Sequence, residues 1–176
     1  MALVALTGTP GTGKTSVAGE LRLRGHEVLD LNGYAAENDL LGERDEARDT
    51  SDVDVDALRD SLAGLGKGRN VVAEGHLAHF LDCDKIVVLR CHPDALAARL
   101  RARGYAEGKV SENVAAEILD VIFCESLESG APVYEIDTTS SGPASVAETV
   151  EGIMTGKGNY APGKGTDWSG EMEKWF

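Results

Sequence analysis

One stretch near the start, Gly8-Thr9-Pro10-Gly11-Thr12-Gly13-Lys14-Thr15, constrains the fold more than any other. It fits the pattern G-x-x-x-x-G-K-[ST] at every required position. Glycines let a backbone turn tightly and aim its N–H groups into one concavity. A lysine at this spacing reaches the β- and γ-phosphates of a nucleotide, and the hydroxyl that follows can ligate Mg²⁺. The flanks agree with the pattern. Ala2-Leu3-Val4-Ala5-Leu6 reads as a buried strand. Residues 15–24 read as a helix with Val17, Ala18 and Leu21 on one side. A strand, a glycine-rich loop and a helix N-terminus together make an anion site.

The rest of the chain alternates strands with helices. His26 to Leu31 predicts a second strand, and Asn32 a helix N-cap for a short helix through Asn38. Residues 39–52 are polar and without periodicity, and read as loop. Asp54 to Leu65 predicts a helix with Val55, Leu58, Leu62 and Leu65 at helical spacing. Asn70 to Ala73 is the third strand, with Glu74 at its carboxyl end. Lys85 to Arg90 is the fourth, and its continuous apolar run marks a strand covered on both faces. Pro93 opens a helix closed by Gly104, with Arg99 and Arg103 four apart on one side. Tyr105 to Val110 reads as a polar excursion, and Ser111 as the cap of a helix running to Glu128. Val133 to Ile136 is the fifth strand, Asp137 to Gly142 a loop, and Pro143 starts a last helix carrying Val146, Val150 and Ile153. From Thr155 the tail is polar and glycine-rich, yet it holds Trp168, Trp175 and Phe176, which a purely disordered tail does not need.

This alternation predicts an α/β fold: a five-stranded parallel sheet with helices on both faces, joined by right-handed crossovers. Ligands of such sheets bind outside the carboxyl ends of the strands. The phosphate loop, Glu74 and the loop after the fifth strand all fall at that edge. Phosphoryl transfer needs positioning and charge neutralisation rather than covalent help. Lys14 and a Mg²⁺ on Thr15 supply part of it. Glu74 is the candidate second metal ligand, its alternative being a helix-cap partner or a surface charge. His76 is either structural or a group that orients a water or a γ-phosphate oxygen. Arg99 and Arg103, with Lys109 behind them, are either an ordinary exposed helix face or the cations of a closing lid. An Asn-Lys-x-Asp run for guanine recognition does not occur, which disfavours a GTPase.

At 176 residues and 42% hydrophobic, the chain suffices for one domain with a full core. No run approaches the roughly 18 apolar residues of a membrane span. No basic segment precedes the first apolar run, so we expect neither a signal peptide nor a membrane partner. Cys83, Cys91 and Cys124 have no paired spacing and read as reduced, mostly buried thiols of a cytoplasmic protein, with metal ligation the weaker alternative. Seventeen basic against thirty acidic residues give a net charge of −13. Such a surface repels nucleic acid and favours basic partners, or reflects adaptation to high salt.

Several of these segments together resemble one family. They are the phosphate loop, Val71-Val72-Ala73-Glu74-Gly75-His76, Val88-Leu89-Arg90 leading to Arg99-Leu100 and Arg103-Gly104-Tyr105, and Glu112-Asn113 through Glu117-Ile118-Leu119. The family is the atypical adenylate kinases, which include the eukaryotic nuclear adenylate kinase and archaeal relatives. The resemblance spans roughly residues 2–130 and is most specific in the Arg-Gly-Tyr and acid-x-His runs. It implies a three-layer P-loop NTPase fold of the nucleoside monophosphate kinase type. It implies transfer of phosphate from ATP to AMP or another nucleoside monophosphate, and ATP hydrolysis, with Mg²⁺ accompanying ATP. It also implies a part in small ribosomal subunit and 16S rRNA maturation, with a ribosomal protein of the S-eleven class and, transiently, the pre-30S subunit as partners. The acidic composition suits a halophilic archaeal member.

Residue by residue, Gly11, Gly13, Lys14, Thr15 and Ser16 match ATP phosphate contacts, and Arg103 matches a lid arginine. Residues 28–51 match the monophosphate-binding region and 102–112 the lid, within a kinase domain of residues 1–155 followed by a tail of 156–176. Glu74 and His76 match the acid-x-His motif implicated in hydrolysis. Eukaryotic members carry Asp at the position of Glu74 and arginine at that of Ala36, where Arg44 or Arg48 could substitute. Two other readings stay open: an ATP-driven assembly factor with little kinase activity, and a small-metabolite kinase on the same scaffold.

Overall fold

In a computed structural model, which describes residues 2–45 and 50–176 and only the backbone of 43–45 and 50–52, the predicted parallel sheet is present. Its strands are β1 (Leu3–Thr7), β2 (Glu27–Asp30), β5 (Val71–Glu74), β6 (Lys85–Arg90) and β7 (Val133–Asp137), in the order β2-β5-β1-β6-β7. All are parallel. The strand that feeds the phosphate loop is central, and every side chain of β1 is buried. The chain crosses to β5 on one side of β1 and to β6 on the other, so the loop opens at a topological switch point.

Helices cover both faces. α1 (Lys14–Leu23) and α7 (Pro143–Thr155) bury Val17, Leu21, Val146 and Val150 against Val4, Leu6 and Val87. On the other face, α2 (Leu31–Glu37), α3 (Val55–Ser61) and α6 (Val121–Glu128) bring Leu31, Leu58 and Phe123 onto Ala5, Ala73 and Val88. A third cluster lies between α4 (Pro93–Ala102) and α5 (Glu107–Ile118), where Leu96, Leu100, Val110 and Val114 are fully buried. Two leucines of α4 in this cluster stand against Gly11. A Cβ there would approach Leu96 Cδ1 to 2.8 Å.

Four local expectations need correction. The helix N-cap is Asp30, whose carboxylate accepts from Asn32 N at 3.0 Å, rather than Asn32. Residues 39–52 are not simply loop: β3 (Leu41–Asp45) and β4 (Thr50–Val53) pair antiparallel, apart from the main sheet. Only Leu41 opposite Val53 is an apolar pair in that ladder, so no alternation betrays it in the sequence. The helix from Asp54 ends at Ser61 instead of Leu65, Asp54 capping it through Ala57 N at 2.9 Å. The helix assigned to 111–128 is two. α5 starts a turn earlier than Ser111 because its buried stripe begins at Val110 and Arg101 pairs with Glu107. It breaks at Asp120, held at φ 55°, whose carboxylate turns inward to accept from Arg90 Nη2 at 2.6 Å.

The tail packs on the domain. Gly163 bridges to Tyr134 of β7, and Trp168 and Trp175, the latter on the short helix α8 (Met172–Trp175), rest on the α4–α5 cluster. Among the thiols Cys91 is buried, Cys83 half-buried and Cys124 exposed. Burial pushes the Cys83 thiol up to about 12 and Cys91 to about 11, so both stay protonated. No helix among the described residues is long and apolar enough to cross a membrane.

Candidate active site

The phosphate loop leaves β1 through Gly8, where the backbone has no room for a side chain. A Cβ there would stand 2.5 Å from the Leu89 carbonyl oxygen, and φ is +141°. The loop then wraps around its own lysine. Lys14 Nζ donates to the carbonyls of Gly8 at 2.6 Å and Thr9 at 3.1 Å. Burial lowers its pKa to about 8 against the raising effect of Glu74, with the charge of Arg103 lowering it further. An ammonium this desolvated is poised to gain from a polyanion, since phosphate oxygens replace the hydration that folding removed.

On the β5 side, Thr15 Oγ1 donates to Glu74 Oε1 at 3.3 Å. Glu74 is buried, which raises its pKa, while the ammonium of Lys14 works against the rise. Two hard oxygen donors facing each other beside a phosphate loop fit Mg²⁺, which binds through one or two carboxylates plus substrate phosphates. Among the described residues no cluster of three metal-ligating side chains exists, so the fit is to a metal arriving with its nucleotide. His76 follows on the same turn, half-buried. Burial, then Lys14 and His79, lower its pKa, which leaves a neutral imidazole able to donate and accept at pH 7. Thr7 Oγ1 stands 3.3 Å from the His76 carbonyl and 3.1 Å from His79 Nδ1, tying this turn to the end of β1.

On the β7 side a cavity of about 230 Å³ opens between Gly11, Gly13 and Ser16 of the loop and Arg99, Arg103 and Thr138. Arg99 is fixed: Nη2 donates to the Thr138 and Thr139 carbonyls at 2.7 and 3.1 Å, and Nη1 to Thr138 Oγ1 at 3.2 Å. Arg103, at the C-cap of α4, is exposed. Lys109 stands 5.0 Å over the Tyr105 ring. Arg48 lies outside the described residues, as does the side chain of Arg44. The structure therefore brings Gly11, Gly13, Lys14, Thr15, Ser16, Glu74, Arg99 and Arg103 around one loop, and His76 close behind.

Two residues that hold the loop are given no role by the sequence reading. Thr138 Oγ1 donates to the Thr12 carbonyl at 2.7 Å. Glu117 accepts from Thr9 Oγ1 at 2.6 Å. Thr138 sits one residue past β7, at an edge the alternation does predict. Glu117 lies on α5, distant in sequence from the loop, and only tertiary packing reveals it.

Comparisons with known proteins identify the family. A family model described as an AAA domain matches residues 4–120. "Putative adenylate kinase" of Thermococcus kodakarensis is 45% identical over 153 residues, 86% of this chain and 85% of that protein. The protein of the same name from Archaeoglobus fulgidus is 43% identical over 175 residues, 97% and 94% of the two chains. The chain belongs to this adenylate kinase family. At the level of fold alone it is similar to a shikimate kinase from Acinetobacter baumannii, with TM-score 0.62, 17% identity, and 89% and 94% of the two chains covered. Fold and family together make it a P-loop kinase acting on nucleotides.

Proposed function

We propose that the chain transfers the γ-phosphate of ATP to AMP or another nucleoside monophosphate, and hydrolyses ATP at the same site. The observation that carries this reading is the buried Lys14 ammonium, enclosed by the loop's own carbonyls between an oxygen-lined side at Thr15 and Glu74 and an arginine-lined cavity. In the reaction an acceptor oxygen bonds to the γ-phosphorus, and the bridging oxygen leaves with ADP. The loop amides around Gly11 and Gly13, with Ser16, hold the phosphates. Lys14 faces the charge that develops on them, in a site desolvated enough for that charge to count. Arg99, locked to Thr138, forms a fixed wall of the ATP cavity, and Arg103 is the mobile cation that closes over it. Thr15 and Glu74 would hold Mg²⁺, which would supply positive charge against that of the phosphates. His76 orients the water in hydrolysis. Residues 28–51 take the monophosphate, and residues 102–112, including the start of α5, act as lid.

We propose as a second role ATP-driven capture and release of a basic ribosomal protein of the S-eleven class in cytoplasmic small-subunit and 16S rRNA maturation, which the family resemblance implies and to which the net charge of −13 is complementary. The test is a pair of titrations on one preparation. ADP formation is followed as AMP and other monophosphates are added, and ADP release as the ribosomal protein is added. Saturation by AMP with tenfold or more ADP formed supports the kinase. Stimulation by the protein alone gives the assembly role precedence. No nucleotide turnover in either sinks both.

A further inference from the structure

Among the described residues, a buried polar assembly stands apart from the Lys14–Glu74 side of the loop. It centres on Arg90, at the end of β6, whose side chain is 2% exposed. Its guanidinium donates to Glu117 Oε1 at 2.8 Å, to Asp120 Oδ1 at 2.6 Å and to Glu135. Burial alone would lower the arginine's pKa, and these carboxylates more than reverse it. The cost of burying so many charges is recovered only if each oxygen is satisfied. Besides Cys91 N, which donates to Glu117 Oε1 at 3.1 Å, the satisfying groups come from two places. One is the phosphate loop, through Thr9 Oγ1 on Glu117 Oε2. The other is the C-terminal tail. Trp168 Nε1 donates to Glu117 Oε1 at 3.3 Å, Thr166 N and Gly165 N donate to Glu135 Oε2, and Lys164 pairs with Asp120. Glu117 thus stands with one oxygen on the loop and the other shared by Arg90, Cys91 N and the tail's indole.

What Glu117 holds matters. The Thr9 carbonyl accepts from Lys14 Nζ and from Thr12 Oγ1 at 2.8 Å. A hydroxyl pinned from behind therefore sets the peptide that orients the lysine. We propose that Glu117 is a positioning residue for the phosphate loop, and that through it docking of the tail around Trp168 is coupled to nucleotide binding. This rests on the nucleotide reading above. Coupling of this kind is reciprocal: whatever tightens the loop around phosphates also tightens the tail.

Both tryptophans of the chain lie in the tail, so tryptophan emission, excited at wavelengths that tyrosine does not absorb, reports on it alone. In the full-length protein, saturating Mg²⁺ and a non-hydrolysable ATP analogue should lower acrylamide quenching of these tryptophans. Thr9→Val, which removes the hydroxyl at nearly constant volume, should abolish that change while the analogue still binds, and Thr9→Ser should restore it. Calorimetric Kd values complete the test. Thr9→Val and Trp168→Phe should each weaken the analogue by about threefold to tenfold, and the double variant no more than the worse single one. Unchanged quenching in the wild type, an unaltered Kd in Trp168→Phe, or multiplicative losses in the double variant would each overturn the coupling. Should Thr9→Val fail to fold, the wild-type quenching and the Trp168→Phe affinity still decide. If the wild type binds no analogue, the nucleotide reading itself fails. If it binds and the losses multiply, only the coupling does.

Discussion

Two groups of buried charge flank the phosphate loop, and they are built on opposite principles. On the β5 side Lys14, Glu74 and His76 are desolvated and incompletely compensated. All three have displaced pKa values, the lysine and histidine down and the carboxyl up. On the β6–β7 side Arg90, Glu117, Asp120 and Glu135 are equally enclosed but tied oxygen by oxygen. The first arrangement keeps free energy in reserve for a ligand that supplies the missing charge. The second holds a shape. A phosphate loop needs both: groups ready to change partners, and a frame that does not move when they do.

The sharpest way to break this contrast is to unbalance the frame. Arg90→Ala leaves three carboxylates facing one another without their cation. Loss of one partner from a buried ionic cluster costs about 3–5 kcal/mol, so urea unfolding should shift by that order. A change near zero would mean that the cluster is not the frame. Lys14→Ala should do the reverse. The fold should survive, because the variant removes a desolvated charge, while transfer and hydrolysis both fall on the order of a hundredfold or more. Near wild-type turnover in a folded variant would remove Lys14 from the chemistry.

His76→Ala refines the reactive side. A bound acceptor brings its own oriented oxygen, whereas water must be held in line. Hydrolysis should therefore fall by about tenfold with transfer much less affected. ADP release without acceptor, and ADP formation with saturating AMP, measure the two on one preparation. Equal losses would assign His76 to the shared phosphate site, and no loss to a structural role.

The smallest effect is a proton. Lys14 titrates at about 8 against an ordinary 10.5. Phosphates raise that value, so binding near pH 9 should take up a proton that is already present at pH 6.5. Calorimetry in buffers of different ionisation enthalpy should find uptake rising from near zero at pH 6.5 towards about one proton per nucleotide. Uptake that stays flat with pH would mean that Lys14 is not desolvated as the geometry indicates.

Much of the reactive side is legible in the chain because its residues are consecutive. Gly8 to Thr15 carries its geometry in its own glycines, and Glu74-Gly75-His76 follows a strand that reads as one. The alternation of apolar strands with helical stripes fixes the sheet, since burial on both faces demands continuous apolar runs such as Ile86 to Leu89. The frame is invisible at that level. Arg90 reads as the last residue of a strand, Glu117 and Asp120 fall inside a segment read as one helix, and Trp168 belongs to a tail whose aromatics have no assigned place. Helical periodicity sets Glu117 on the buried stripe of Val110, Val114 and Ile118, but says nothing of what its carboxylate meets there. Only when β6, α5 and the tail converge does its carboxylate meet Arg90, Thr9 and the indole, at separations of 27, 108 and 51 residues. Local patterns record what a residue needs from its neighbours in sequence, whereas a buried ion pair is decided by which distant elements exclude water together.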